Sequence, residues 1–215
     1  MRITALERRP KKRLMELFVD GRLVAALSPE VCARFDLRVG GEISPQRLEE
    51  ARGDQALHTA LSAALRLLAH RPRSEREVRQ RLLRKGVPGE AVDATVHRLR
   101  QLRLVDDEAF SASWVESRER TSPRGRRLLA AELMGQGVKR ATAVRAAAAV
   151  DEAAAAVRAA ENRARALASL PWPEFRRRLH GFLLRRGFDS ETALAAVRGA
   201  WVQATGGRPP GEDDV

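Results

Sequence analysis

The pattern of apolar and polar residues separates a short β-prone beginning from a long helical remainder. Two apolar runs of strand length, residues 14–19 and 22–27, flank the pair Asp20 and Gly21. An Asp-Gly pair permits the positive φ angles of a tight hairpin turn. The first part of the chain is therefore predicted to contain a β-hairpin.

Two serine–proline pairs predict short helices after the hairpin. Ser28 and Ser44 each stand directly before a proline, which is the arrangement of an N-cap residue followed by proline at the first helical position. The first helix is predicted to run through about Phe35. The second is predicted to run toward Arg52 and to end before residue 55.

From residue 55 onward the apolar residues recur at helical spacing. The first stretch carries leucines at intervals of three and four residues and ends before Pro72; they are Leu57, Leu61, Leu65 and Leu68. This spacing predicts an amphipathic helix that buries its leucine face.

Two more helices complete the unit. Ser74 and Glu77 have the spacing of a capping box, in which the serine hydroxyl and the glutamate carboxylate satisfy free N–H groups. The helix that follows is predicted to end at Gly86, a residue type suited to the left-handed conformation after a helix. A third helix is predicted over about residues 90–102. The predicted buried positions are Val78, Leu82 and Leu83 in the second helix and Val92, Val96 and Leu99 in the third.

The same unit recurs twice more along the chain. Gly86, Gly137 and Gly187 align with leucine four residues before each glycine, an apolar residue eight before it and proline fourteen before it. The aligned positions are Leu82, Leu133 and Leu183; Val78, Leu129 and Leu179; and Pro72, Pro123 and Pro173. Self-similarity at this period is typical of helical repeat proteins, in which stacked units share a core.

The predicted fold is mainly α-helical: an elongated tandem array of three three-helix repeats, preceded by a small β-hairpin-containing N-terminal domain. The predicted boundaries are residues 1–55 for that domain, 56–106, 107–150 and 151–203 for the repeats, and 204–215 for a disordered tail. The tail is predicted from its glycine and proline content.

The charge balance points to an anionic partner. The 215 residues include 40 Lys and Arg against 28 Asp and Glu, a net charge of +12. The excess is greatest in residues 56–106, and a basic surface of this kind most often binds nucleic acid. A single cysteine, and the absence of an apolar leader or a membrane-length apolar run, argue against secreted and membrane proteins. The chain is expected to be cytoplasmic, with no membrane partner.

No group of residues predicts catalysis, a metal site or a cofactor. The four histidines lack metal-ligand spacing, and Cys32 has no neighbouring Cys or His. No glycine loop of the P-loop type is present. The sequence is therefore interpreted as that of a binding protein rather than an enzyme.

Basic residues of the three middle helices form the candidate binding site. Arg76, Arg127 and Arg177 each stand ten residues before an aligned glycine. The predicted basic face comprises Arg73, Arg76, Arg79, Arg84 and Lys85 in the first repeat, Arg124, Arg126 and Arg127 in the second, and Arg176, Arg177, Arg185 and Arg186 in the third. Such side chains can contact phosphates. The alternative, which the sequence leaves open, is a solvated surface of Glu–Arg pairs. The three tryptophans are assigned to packing.

Three-helix units on a basic protein also suit an autonomous DNA-binding protein or a transcriptional repressor built from helix-turn-helix-like units. A recognition helix needs exposed side chains that read base edges. The third helices of the second and third repeats offer only Arg145 and Arg198 for that purpose. Contacts with DNA are therefore predicted to go to phosphates, without sequence specificity.

Four segments resemble the RecX family of regulatory proteins, which control the RecA recombinase in bacteria. They are residues 73–86 (RSEREVRQRLLRKG), 104–118 (LVDDEAFSASWVESR), 125–138 (GRRLLAAELMGQGV) and 179–188 (LHGFLLRRGF). The segments stand in the family's order, and the resemblance covers roughly residues 56–203. Trp114 replaces the usual tyrosine, Ser111 the usual alanine and Gln136 the usual lysine.

The resemblance implies a modulator of homologous recombination, DNA repair and the SOS response without enzyme activity. Members of the family bind along the helical groove of RecA–DNA filaments, inhibit ATP hydrolysis and strand exchange, and limit filament growth. The implied partners are the RecA filament and, weakly and without sequence specificity, single- and double-stranded DNA. The chain is predicted to be a monomer. A helical adaptor for an unrelated acidic protein is the third alternative.

Overall fold

The computed structural model describes residues 1–8 and 13–207. The chain forms two compact units, Met1–Pro72 with Val78–Leu104, and Arg73–Glu77 with Val105–Val215. The first unit contains a small sheet and the second is helical within its described residues. The prediction of a mainly α-helical chain with a small β-containing N-terminal part is confirmed.

The sheet has three antiparallel strands, β1 (Ile3–Arg8), β2 (Met15–Val19) and β3 (Arg22–Leu27), in the order β1-β2-β3. The predicted hairpin is β2 and β3, and its turn has φ of +48° at Asp20 and +78° at Gly21. Positive φ at both central residues is the type I′ geometry that suits the strand twist. Strand β1 was not predicted, and it pairs with β2 to complete the sheet.

Both serine N-caps form as predicted. The Ser28 hydroxyl accepts a hydrogen bond from the Val31 N–H at the start of α1 (Pro29–Arg34), and the Ser44 hydroxyl accepts one from Arg47 at the start of α2 (Pro45–Leu68). The predicted end of the second helix before residue 55 is wrong, because α2 continues without a break for 24 residues. Glycine inside a helix costs only about 1 kcal/mol, and the buried alanines on both sides of Gly53 offset it.

The buried side of α2 consists largely of alanine rather than leucine. Ala51, Ala60 and Ala64 are fully buried, whereas Leu65 is 43% exposed and the other three predicted leucines are half-buried. The prediction of a buried leucine face is therefore wrong. Alanine allows close approach to α4, which is a principal packing partner of α2, and the leucines fall on the flanks of that contact.

The first repeat continues with α3 (Glu75–Arg84) and α4 (Gly89–Gln101). Their predicted buried positions are confirmed with one exception: Val78, Leu82, Val92, Val96 and Leu99 are at most 1% exposed, but Leu83 is 52% exposed. Leu83 directly follows Leu82, and consecutive residues of a helix point about 100° apart. Only one of the two can face the core.

The second unit contains six helices in its described part. They are α5 (Asp107–Thr121), α6 (Arg126–Gly135) and α7 (Arg140–Ala148) of the second repeat, and α8 (Glu152–Arg165), α9 (Trp172–Arg185) and α10 (Ser190–Thr205) of the third. One continuous core joins them, in which large residues such as Leu133, Phe175 and Leu183 pack among many alanines. Trp172 and Trp201 form a ring cluster with Phe175, consistent with a packing role for these tryptophans.

The aligned glycines have the same backbone conformation in all three repeats. Gly86, Gly137 and Gly187 have φ of +76°, +91° and +86°, and the leucine four residues before each is fully buried. The aligned prolines are not equivalent. Pro173 lies in the first turn of α9, which begins at Trp172, whereas α3 and α6 begin three residues after their prolines. The middle helix of the third repeat is therefore longer at its start.

The predicted tail overlaps the last helix. Helix α10 extends through Thr205 and ends at Gly206, whose φ is +70°. Residues 204 and 205 are thus helical rather than part of a tail, and residues 208–215 lie outside the described residues.

Candidate functional site

Two cations at the end of α3 are exposed and have no carboxylate partner among the described residues. Arg84 is the last residue of the helix, and Lys85 follows it. Neither side chain forms an ion pair within residues 1–8 and 13–207. The helix dipole favours cations at a C-terminus, so both charges are stable there without an acidic neighbour. A phosphate or carboxylate group of a partner can reach them.

Two other predicted contacts of the first repeat are bound within the fold. Arg73 is 8% exposed and forms an ion pair with Glu77, one helical turn later. Arg79, which is half-buried, pairs with Asp93 of α4. The prediction that Arg73 lies on an exposed basic face is wrong. A guanidinium is buried when its charge is paired, and Glu77 supplies that pairing.

The residues that begin α3 dock on the glycine turn of the second repeat. Ser74 is fully buried, and its hydroxyl accepts from the Glu77 N–H at 3.2 Å and donates to the Gln136 carbonyl at 2.5 Å. A Cβ atom placed on Gly137 would lie 2.7 Å from Cγ of Arg76 and closer still to its Cβ and Cδ. The methylene groups of Arg76 therefore pack on the glycine backbone, while the residue as a whole stays exposed.

An equivalent junction joins the second and third repeats. Gly125, the N-cap of α6, holds the repeat position of Ser74 and donates its N–H to the Arg186 carbonyl at 2.9 Å. A Cβ atom on Gly125 would overlap the carbonyl group of Gly187. A Cβ atom on Gly187 would in turn lie 2.6 Å from the Leu128 nitrogen. In both junctions, the beginning of one middle helix packs against the turn that ends the next one.

Glu132 is the centre of a half-buried charge cluster. Its carboxylate pairs with Arg124, accepts from Arg118 Nε at 3.0 Å and accepts from Trp114 Nε1 at 3.0 Å. Burial lowers the pKa of the Arg124 guanidinium, and the nearby charges of Arg118 and Arg186 lower it further. Arg124 was predicted on the basic face, but its charge is used to hold α5 and α6 together.

Three further predicted contacts form hydrogen bonds inside the second unit. Arg126 donates to the Val150 carbonyl from Nε and Nη2, at 3.1 and 2.7 Å. Arg186 donates from Nη1 to Ser122 Oγ at 2.7 Å and lies over a phenylalanine ring. Arg127 donates to a carbonyl of α9 at 3.4 Å. A partner would have to compete with these bonds, so the three residues are weaker candidates than free cations.

Helix α9 carries three exposed cations of the predicted basic face. Arg176, Arg177 and Arg185 are exposed, and in the described chain none of them forms an ion pair. Arg178, by contrast, pairs with Glu174 one turn earlier, at 3.3 Å. The third repeat therefore presents three of its four predicted contact residues to solvent without an internal partner.

A basic cavity in the second unit was not predicted from the sequence. It has a volume of about 270 Å³ and is lined by residues of α8 and α9 and of the loop after α5, among them Arg158, Asn162, Arg163, Arg186 and Ser122. Arg158 is paired with a glutamate of α5, whereas Arg163 is exposed and has no ion pair in the described chain. Guanidinium and hydroxyl donors in one cavity suit an oxyanion such as phosphate. The sequence signal that could have indicated this cavity is the spacing of Arg158 and Asn162, which are four residues apart on one helix.

In the described residues, a metal site would need a cluster of ligands, and a membrane span would need a long apolar helix. No group of three or more His, Cys, Asp or Glu side chains there could hold a metal ion. None of the helices in residues 1–8 and 13–207 is both long and apolar enough to span a bilayer.

Comparison with known proteins gives the same three repeats. Models of the first, second and third three-helix domains of RecX match residues 60–99, 106–146 and 151–197. A Streptomyces coelicolor protein named regulatory protein RecX is 33% identical over 165 residues, which are 75% of this chain and 88% of that protein. The Geobacillus kaustophilus protein of the same name is 36% identical over 138 residues, 63% of this chain. That match spans 51% of the Geobacillus protein, about half its length.

Two solved structures share the fold. A crystal structure of regulatory protein RecX superposes with a TM-score of 0.70 and 22% identity, over 89% of this chain and 96% of the other. The crystal structure of RecX from Lactobacillus salivarius gives a TM-score of 0.62 and 20% identity, over 67% of this chain and 96% of the other.

Proposed function

The chain belongs to the RecX family, and on that premise we propose that it is a negative regulator of the RecA recombinase. It binds in the groove of RecA–DNA filaments, inhibits ATP hydrolysis and strand exchange, and limits filament growth. The regulatory role of the relatives supports this proposal. A filament of acidic protein surface and DNA phosphate requires cations that are not already bound inside the regulator.

The observation that carries the proposal is the set of unpaired exposed cations on two middle helices. In the described chain these are Arg84 and Lys85 after α3, and Arg176, Arg177 and Arg185 on α9. Each can form a charge-assisted hydrogen bond with a carboxylate or phosphate without breaking an internal ion pair. Contacts with phosphates also release counterions, so binding weakens as salt increases.

The proposal is tested by DNA-dependent ATP hydrolysis of the recombinase. The protein is added below stoichiometry to filaments on single-stranded DNA, at low and at physiological salt. We expect inhibition that is strongest at low salt. A recombinase that hydrolyses ATP at its normal rate in both buffers would refute the proposal.

Paired substitutions locate the contact surface. One double variant carries Arg84→Gln and Lys85→Gln, and a second carries Arg176→Gln and Arg177→Gln. Each double variant lacks two exposed charges. Two surface contacts are worth about 1–2 kcal/mol together, so the half-inhibitory concentration should rise about tenfold. The matched control, Lys139→Gln with Arg140→Gln, removes two exposed charges from α7. We expect the control to inhibit like the original protein; an equal loss in all three would mean that only net charge matters.

Arg76 is excluded from these variants because its methylene groups pack on Gly137. A loss of inhibition after changing Arg76 could reflect a loosened junction rather than a lost contact. Thermal unfolding of each double variant checks that the substitutions leave the fold intact.

Binding to DNA is sequence-independent in this proposal. The third helices of repeats two and three carry three basic residues, Arg140, Arg145 and Arg198, and Arg145 pairs with Glu108 at 2.5 Å. Footprinting on several unrelated DNA sequences should therefore give weak and uniform protection. Protection of a single sequence would favour a transcriptional repressor instead.

A further inference from the structure

The two repeat junctions define one recurring docking geometry. In each, a small residue at the start of a middle helix donates a hydrogen bond to the carbonyl that precedes the left-handed glycine of the next repeat. The donor is Ser74 Oγ to Gln136 in the first junction and the Gly125 N–H to Arg186 in the second. In both, the glycine lies against side-chain or backbone atoms of that helix start.

The glycine turn of the first repeat has the same backbone but no helix docked on it. Gly86 has φ of +76°, yet a Cβ atom placed on it would meet nothing within 4 Å. In the described part of the chain, no donor reaches the carbonyl oxygen of Lys85, which corresponds to the carbonyls of Gln136 and Arg186. The space beside the glycine and the carbonyl oxygen that precedes it are thus both occupied in the second and third repeats, and both are open in the first.

The open turn is one wall of a groove within the first unit. The groove has a volume of about 320 Å³, and its other walls are β3, with Ala25 and Ala26, and α2, with Ala56 and Thr59. Alanine on both walls leaves room for a backbone to approach the turn, and the longer side chains of Arg52 and Gln55 also line the groove.

We propose that this groove, the Gly86 groove, is a docking site for the beginning of an α-helix of a partner protein. The partner is not a second copy of this chain. The helix starts at Ser74 and Gly125 are already bound within the chain. The corresponding residue of the third repeat is Phe175, which lies inside α9 and is fully buried. No equivalent helix start among the described residues is left to dock on Gly86.

The surroundings of the groove define the chemistry of the helix that it accepts. Ser74 and Gly125 indicate a small residue at the N-cap, because the turn approaches the helix backbone closely. Arg84 and Lys85 lie at the turn without carboxylate partners in the described chain. They favour aspartate or glutamate in the first turn of the docked helix, where carboxylates also complement the helix dipole.

Lys85 has a further role in this geometry. It holds the repeat position of Arg186, whose guanidinium reaches back to Ser122 Oγ at 2.7 Å, just before the docked helix start. Lys85 should contact the partner in the same place, on the segment that precedes its helix. The identification of the partner as the recombinase rests on the proposed function. The docking geometry is independent of the proposed function.

A peptide experiment tests the groove without the recombinase. The probe is a synthetic peptide of residues 72–87, which contains the Ser74 N-cap and an acidic first turn with Glu75 and Glu77. Titrated into the isotope-labelled protein, it should shift the amide resonances of Gly86 and Val87. The same peptide with Glu75→Gln and Glu77→Gln, which lacks only the acidic first turn, should produce smaller shifts at equal concentration.

Substitutions in the groove connect it with inhibition. Thr59→Trp places a large side chain on an exposed wall position, and Gln46→Trp is the matched control on the same helix, at an exposed position outside the groove. We expect Thr59→Trp to abolish the peptide shifts and to raise the half-inhibitory concentration on recombinase filaments at least tenfold. Gln46→Trp should change neither.

The outcomes separate the two proposals. Absence of peptide shifts, or equal shifts in the Thr59→Trp variant, overturns the Gly86 groove as a docking site. Peptide shifts in a protein that leaves recombinase ATP hydrolysis unchanged support the groove and refute the proposed function. If the Thr59→Trp variant shows no peptide shifts but still inhibits filaments fully, the groove docks a helix of some other partner. The identification of the recombinase as the partner of the groove then fails.

Discussion

Substitution of Gly125 by alanine is a direct test of the second repeat junction. Gly125 has φ of −70° and ψ of 157°, a conformation that alanine adopts without strain. The substitution therefore adds one methyl group and no backbone penalty. That methyl group would overlap the carbonyl of Gly187 and the backbone nitrogen of Phe188. Both are main-chain atoms of a closed turn, so they cannot rotate away as a flexible side chain could.

The magnitude follows from the overlap and from the loss of an N-cap residue. Forcing extra atoms into a packed site costs about 1–3 kcal/mol, and replacing a favourable N-cap residue by alanine adds up to about 1 kcal/mol. We therefore expect the free energy of unfolding to fall by about 2–4 kcal/mol, a large part of the stability of a typical domain. Gly135→Ala is the matched control. Gly135 is the last residue of the same helix and has nothing within 4 Å of its Cβ position, so alanine there should stabilise by up to about 1 kcal/mol.

Urea unfolding followed by tryptophan fluorescence measures this effect where it occurs. Trp114, Trp172 and Trp201 all lie in the second unit, so the signal reports its unfolding. The midpoint should move to lower urea for Gly125→Ala and to slightly higher urea for Gly135→Ala. If Gly125→Ala unfolds at the midpoint of the original protein or above it, the close contact between the two repeats does not exist in solution.

Other predictions concern α2 and α10. Gly53→Ala should raise the free energy of unfolding by about 1 kcal/mol, because Gly53 lies inside continuous α2 with open space around its Cβ position. Unfolding followed by far-UV circular dichroism measures this change. A loss of stability would mean that the helix is broken at Gly53. Asp189→Ala should lower stability by about 1 kcal/mol at pH 7. The pKa of the Asp189 carboxyl is lowered by hydrogen bonds from the Thr192 hydroxyl and N–H, so its stabilisation is present above the unfolded pKa of about 4 and is lost as pH falls through the folded value. The difference in stability between the variant and the original protein should therefore be smaller at pH 2 than at pH 7; an equal difference at both pH values would contradict the capping role.

Local signals predicted local structure well. The Asp20-Gly21 turn, the Ser28 and Ser44 N-caps and the left-handed Gly86 all form as their residue types require. Each of these depends on backbone conformation or on a hydrogen bond within three residues, so neighbouring sequence is sufficient to specify it. The periodicity of buried positions succeeded in α4 for the same reason, because it reflects the geometry of a single helix, but it failed for the leucines of α2 and for Leu83 of α3.

Features that depend on distant contacts were missed. Strand β1 buries only Ile3 fully, and it is a strand because β2 provides its hydrogen bonds; its own pattern is weak. The continuity of α2 also has tertiary causes. Asp54 pairs with Arg34 of α1 at 2.7 Å, and the alanines around it pack against other elements. These contacts keep α2 continuous through Gly53.

Sequence could place the arginines but could not identify their partners. Arg124 and Arg177 are the same residue type and were both assigned to the basic face, yet Arg124 is held by Glu132 and Arg177 is exposed without an ion pair in the described chain. The difference is set by helix packing in the second unit. Some internal pairs did have a signal in the sequence, because Arg73 and Glu77, and likewise Glu174 and Arg178, are four residues apart.

The arginine that recurs ten residues before each glycine illustrates how repetition can separate packing from binding. In the first repeat, the methylenes of Arg76 pack on Gly137, and in the second, Arg127 donates to the Leu184 carbonyl. Both contacts are with the repeat that follows. In the third repeat, Arg177 is exposed and forms no ion pair in the described chain. The same repeat position therefore contacts the following repeat in two copies and is solvent-exposed in the third.

This division predicts opposite consequences for two equivalent substitutions. Arg76→Ala removes two methylenes from the junction and should lower the free energy of unfolding by about 1.6 kcal/mol, at about 0.8 kcal/mol for each buried methylene. Arg177→Ala should leave tryptophan-detected urea unfolding unchanged and weaken filament inhibition instead. Equal destabilisation by both substitutions would mean that Arg177 also packs within the fold, and the assignment of α9 as a contact helix would fail with it.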